Sequence, residues 1–246
     1  MLSAELVLAT SMEVDALRRH FTYHNASASL MTRISNKNVQ NAIETDLSLI
    51  CPHGAPLTVD PLMGINYKLC NLISQIQYVS FVNPAFPQIT EAAFATIERD
   101  IKQWAYGNPI GLPGIDLPVA MDLIALAESY RLAALIQLYR TSQAHKGLIS
   151  SCATRTMEFI SRIPPGSPAE SSMLYPIFLA GAELTDAPEI TKCFKRLEEI
   201  QARNRYENVN IVQKVLEEVW RPALNGEQKR DWEDVLQEWE WSFTLG

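Results

Sequence analysis

Apolar positions in this chain recur mostly at helical spacing; glycine is scarce and no strong hairpin signal appears. Two such segments, 4–18 and 21–34, read as helices, and the pattern then dissolves over 36–59 into a loop rich in proline and glycine. Asp60-Pro61 restarts it, with aspartate as N-cap and proline at the first helical position. Leu62, Ile65, Leu69, Leu72, Ile73, Ile76 and Val79 then share one face. A further helix is expected over 88–106 with Ala93, Ile97, Ile101 and Trp104 inward, and the glycines and prolines of 106–118 end it.

The segment 117–145 is long and almost wholly apolar, with Asp122, Glu128, Arg131 and Arg140 as its few charged members. A helix over 148–162 stops at Ile163-Pro164-Pro165-Gly166, and Ser167-Pro168-Ala169-Glu170 has the form of a capping box. The oily stretch MLYPIFLAGAE (173–183) follows, with Pro176 as a place where it could bend. Asp186-Ala187-Pro188-Glu189 launches a charged amphipathic helix over 187–203, and helices over 208–221 and 230–241 complete the chain. The pattern predicts an all-α fold, a single irregular bundle of roughly nine or ten helices, forming one domain over 1–246. No fixed-period repeat supports a solenoid.

Charge and cysteine use narrow the classes. A formal net charge of −7 without any Lys/Arg block argues against unaided nucleic-acid binding, which rests on clustered cations. Cys51, Cys70, Cys152 and Cys193 lie far apart with no metal-ligand spacing, as expected of reduced thiols in the nucleus or cytoplasm. The opening MLSAELVLATSMEVD lacks a basic n-region. The longest apolar run, 173–182, is about half the roughly 18–20 residues needed to cross a bilayer, so no membrane association is expected.

The last third carries a more specific signal. YPIFLAGAE (175–183), RLEEI (196–200), VLEEVW (215–220) and DWEDVL with a following tryptophan (231–239) stand in a distinctive order and spacing. Together they resemble the C-terminal part of the fungal-specific transcription factor domain of the second type, the helical regulatory region found downstream of binuclear zinc-cluster DNA-binding domains. DPLMG (60–64), AESYRLAALIQLYR (127–140) and FTYHNASASL (21–30), with Phe21 where the family pattern has tryptophan, fit more loosely. The resemblance covers most of the chain. It implies an all-α regulatory domain, a homodimer or transcriptional partner protein, and a nuclear setting. Two departures accompany it: the sequence has no six-cysteine cluster, so direct DNA binding by this chain is not expected, and the family's leading helices have no evident counterpart before Met1.

Candidate chemistry is sparse. Glu183 is the lone acid in the oily stretch; buried there, it is either a general acid or a carboxylate paired with an arginine or a helix N-terminus to hold helices in register. His20 and His24 have i,i+4 metal-ligand spacing but no evident third ligand, so no metal is expected. Cys51-Pro52-His53 could hold a thiolate near an imidazole but reads as a plain loop thiol. Gly181 reads as a point of close helix approach, and the glycines of 107–114 match no nucleotide fingerprint, so no cofactor is expected. Trp104, Tyr130, Tyr139, Tyr175 and Phe178, with Arg131, are candidates to line a pocket for an apolar small molecule, against the alternative that the aromatics are core. Trp220, Trp232, Trp239 and Trp241 read as anchors of the final helices.

Two functional classes follow. The first is a regulatory domain, sensing a ligand or a partner, of a fungal transcription-factor-like protein. The second is a standalone protein of fungal secondary metabolism that binds or converts an apolar molecule in the same helical framework. Glu183, His24 and His20 are then its first catalytic candidates, with Arg131 and Tyr175 as positioning groups. A shortened remnant would instead expose apolar surface and associate.

Overall fold

The computed structural model describes residues 67–81, 87–107, 109–110, 114–224 and 226–240. These form eight α-helices and two 3-10 segments, with no β-strand among the described residues. The helices are α1 (Tyr67–Phe81), α2 (Pro87–Lys102), α3 (Leu117–Arg140), α4 (Ile149–Ser161), α5 (Leu174–Glu183), α6 (Ala187–Asn204), α7 (Glu207–Leu224) and α8 (Trp232–Glu238). The expected helices 4–18 and 21–34, and the Asp60-Pro61 start, lie outside the described residues.

The 24-residue α3 is the axis of the bundle. Asp116 caps it, accepting from the Val119 amide at 2.9 Å, with Pro118 in the first turn, where a missing N–H costs nothing. From Ala120 onward nearly every position is buried, because α1, α2, α4 and α5 all pack on it. A helix apolar on all sides requires such neighbours. It stops at Arg140, and a 3-10 segment, Gln143–Leu148, turns the chain directly into α4.

The oily α5 is the second inner helix, with every residue from Leu174 to Ala182 buried between α3, α4, α6 and α7. The bend anticipated at Pro176 is unnecessary. Pro176 falls at the third helical position, where its absent N–H is one of the four that no helix can satisfy internally. The capping box at Ser167 also differs from expectation. Ser167 accepts from the Ala169 amide at 3.3 Å but launches a 3-10 segment, Pro168–Ser172. The Glu170 carboxylate accepts from Gly166 rather than from the cap residue itself.

Gly181 is where α5, α6 and α7 come closest. A Cβ there would lie 3.0 Å from Cys193 Sγ and 3.2 Å from a Leu216 methyl. The close approach expected of this glycine is therefore present. Helix α6 buries Cys193, Leu197 and Ile200, with Ile190 and Phe194 packed half-buried against the core, as its amphipathic pattern requires. Helix α7 carries Pro222 in its last turn, two residues before its end. Trp220 and Trp232 are buried and Trp239 packs at the core's edge, while Trp241 lies outside the described residues. At the front of the molecule α2 ends at Lys102, four residues before the expected 106, yet Trp104 is still buried beyond it.

Candidate functional site

The lone acid of α5 sits where three separate parts of the chain end. Arg140 closes α3, Glu183 closes α5, and the segment leading to α8 supplies Lys229 and Asp231. Arg140 Nη1 donates to Glu183 Oε1, and Lys229 Nζ donates to Glu183 Oε2 at 3.0 Å and to the Ala182 carbonyl at 2.6 Å. The other arm of Arg140 reaches both Asp231 oxygens at 2.7 and 2.8 Å and Glu233 at 3.3 Å. Its guanidinium lies 5.0 Å from the centroid of the Trp232 ring, whose edge meets Phe178 of α5 at 5.1 Å.

Burial alone would lower the Arg140 pKa, but Glu183, Asp231 and Glu233 outweigh it and raise it, so this arginine is a permanent cation. A cleft of about 400 Å³ opens beside the cluster, lined by Glu183, Lys229, Arg230 and Asp234 among others. Both oxygens of Glu183 are engaged by cations. The arrangement suits a strut joining α3, α5 and the start of α8. The neighbouring acids Asp231 and Glu233 are likewise engaged, by the other arm of Arg140.

The aromatic candidates occupy the interior. Tyr175 is buried; it stacks on Tyr130 at 5.2 Å with the rings 7° apart, and its hydroxyl donates to Gln137 Oε1 at 2.9 Å. Burial pushes its phenol above the usual range. Phe178 touches Trp232, and Trp104 lies 5.7 Å from Tyr106. Arg131 donates twice to Glu128 Oε2, at 3.0 and 2.6 Å. The structure brings Tyr175 and Phe178 together on α5, while Trp104 meets Tyr106 and Arg131 pairs with Glu128, and none of the four lines the cleft beside Glu183. His20 and His24 lie outside the described residues.

A second charged centre has no forerunner in the sequence reading. Glu170, almost wholly buried, is held by Arg203, through its Nε at 3.0 Å and through Nη2, and by Arg196 at 3.2 Å. The separations of 26 and 33 residues along the chain hide such a triad from any local pattern. Beside it, α4 and α6 enclose a cleft of about 510 Å³ with Met157, Ile160 and Ile163 toward its base and Lys192, Lys195 and Glu158 on its rim. Among the described residues, no group of His, Cys, Asp and Glu side chains is placed to hold a metal ion, and no helix is long and apolar enough to cross a membrane.

The described residues form an all-helical bundle with a packed aromatic core, its helix ends tied by ionic clusters. The family model described as the fungal specific transcription factor domain matches residues 8–246, and the chain belongs to that family. No curated protein and no solved structure matches it.

Proposed function

We propose that this chain is a partner-sensing regulatory domain of a fungal transcription-factor-like protein, acting in the nucleus as one domain and without reading DNA itself. The observation that carries this reading is how the polar and aromatic groups are used. Tyr130 stacks on Tyr175 and Phe178 meets Trp232 in the interior, while Glu158 of α4 and Lys192 and Lys195 of α6 stand exposed beside the second cleft. Lys195 and Glu158 flank a cleft with an apolar base, the composition of a surface that meets another protein, a second copy of this chain included.

Fusion to a heterologous DNA-binding domain tests it. The fusion is expected to change transcription of a reporter, and the double substitution Lys192→Glu, Lys195→Glu on the exposed side of α6 is expected to change that output while helix content stays the same. Native mass spectrometry of the purified chain, with solvent extraction, separates this reading from the metabolic one. A homodimer free of small molecules supports it. A co-purifying apolar compound that the protein converts would overturn it in favour of catalysis, with Tyr175 and Phe178 parting to admit the compound.

A further inference from the structure

Ser167-Pro168 is the single Ser/Thr-Pro dipeptide in the chain. It stands in the turn between α4 and α5, where Pro164, Pro165, Gly166 and Pro168 are exposed and Ser167 itself is half-buried. The backbone at Ser167 is extended, with φ −60° and ψ 143°, and Gly166 precedes it at φ +82°. Ser167 thus stands in a tight turn, between the left-handed Gly166 and the 3-10 segment that Pro168 opens. Serine followed directly by proline is the dipeptide that a proline-directed protein kinase recognises, here on an exposed turn.

The surroundings of the hydroxyl give such a modification a consequence. Ser167 Oγ donates to Asp122 Oδ2 at 2.6 Å, which ties the turn to the N-terminal half of α3. Asp122 is buried, and among the described residues that hydroxyl is its one side-chain partner. Close by, the Glu170 carboxylate accepts from the Gly166 amide at 3.3 Å and from Arg203 Nε at 3.0 Å, with Arg196 also on it. The turn is therefore held from one side by a buried acid that needs a hydroxyl donor. On the other side stand two arginines sharing one carboxylate.

We propose that Ser167 is a phosphorylation site whose phosphate releases the turn from Asp122 and transfers it toward Arg196 and Arg203. In the reaction Ser167 Oγ attacks the γ-phosphorus of a magnesium-bound nucleoside triphosphate. The new O–P bond forms as the bond from that phosphorus to the bridging oxygen breaks; nucleoside diphosphate leaves, and the hydroxyl proton passes to the kinase's carboxylate. The ester oxygen then has no hydrogen to give Asp122, and a phosphate carrying about −1.5 to −2 charge repels the buried carboxylate. Arginine pairs are the natural acceptors of such a group, and these two already lie at the turn.

The test uses the whole chain, a proline-directed kinase and magnesium-ATP, with site mapping by mass spectrometry and hydrogen exchange before and after. One phosphate on Ser167 is expected, absent from Ser167→Ala and from Pro168→Ala. The second variant keeps the bond to Asp122 and so guards against a folding defect. In the phosphorylated chain, amides of 164–173 are expected to exchange about tenfold faster or more, the effect of losing one charge-assisted hydrogen bond. If the kinase modifies a synthetic peptide spanning 160–175 but leaves Ser167 of the folded chain unmodified, the site is closed and the proposal fails. Phosphate on Ser167 with unchanged exchange in the turn would overturn the switch.

Discussion

Arg140 and Glu183, the final residues of α3 and α5, face each other across 43 positions of sequence and form a direct ion pair. Both are largely buried, with side-chain exposures of 13% and 11%. The two inner helices are thereby pinned at one end, and Asp231 and Glu233 attach α8 to the same guanidinium.

Removing the arginine leaves Glu183 with Lys229 and takes the guanidinium from Asp231 and Glu233 as well. Arg140→Met is expected to destabilise by roughly 2–4 kcal/mol, at or below the range for a fully buried pair because Asp231 is nearly half exposed. Glu183→Gln should cost less, since Arg140 keeps its other two acids and Lys229 keeps the Ala182 carbonyl. Urea denaturation of the two variants gives the ordering; a larger loss for Glu183→Gln would contradict the geometry.

Gly181→Ala adds a methyl where Cys193 and Leu216 already stand at 3.0 and 3.2 Å. Alanine gains about 1 kcal/mol of helix propensity, while overpacking typically costs about 1–3 kcal/mol. A net loss of about 1 kcal/mol is expected. Because the closest atom is the Cys193 sulfur, adding Cys193→Ala to Gly181→Ala should recover part of it, an interaction that a double-mutant cycle measures.

Tyr175→Phe keeps the stack on Tyr130 and removes only the hydroxyl, leaving the Gln137 oxygen buried without that donor. The expected loss is about 1–2 kcal/mol, read from thermal or urea unfolding. If the residue instead positions an apolar ligand, the variant would be near neutral in stability and would lose a co-purifying compound.

Glu98 sets an acid limit. Burial would raise its pKa, but hydrogen bonds from Lys102 at 2.7 Å and the Tyr139 hydroxyl at 2.8 Å outweigh it and hold the carboxyl below its usual 4.5. A depressed folded value means that the ionised form stabilises the fold. That contribution is present above pH 4.5 and is lost as pH falls through the lower folded value. Glu98→Gln should therefore be less stable at neutral pH and show a shallower loss of stability on acidification, measured as urea midpoints across the pH range.

Helix identity was legible because each segment's own periodicity states which side faces the core. Leu69, Leu72, Ile73 and Ile76 are buried as their spacing predicts, and Cys193, Leu197 and Ile200 are the buried stripe of α6. Helix ends were less legible, since they depend on where neighbours stop. Trp104 is buried without being helical, and Pro176 begins a helix rather than bending one.

By itself the sequence determined the helical class, the inward faces, the burial around Glu183 and the motif order that points to the family, all of which are local patterns or their sequence along the chain. Only the tertiary structure decided which charges meet. Arg140 finds Glu183 and Asp231, and Glu170 finds Arg196 and Arg203, because helix packing brings distant ends together. A charge isolated in an apolar run announces that it needs a partner, since burying it alone costs several kcal/mol. The identity of that partner is a property of the packed bundle.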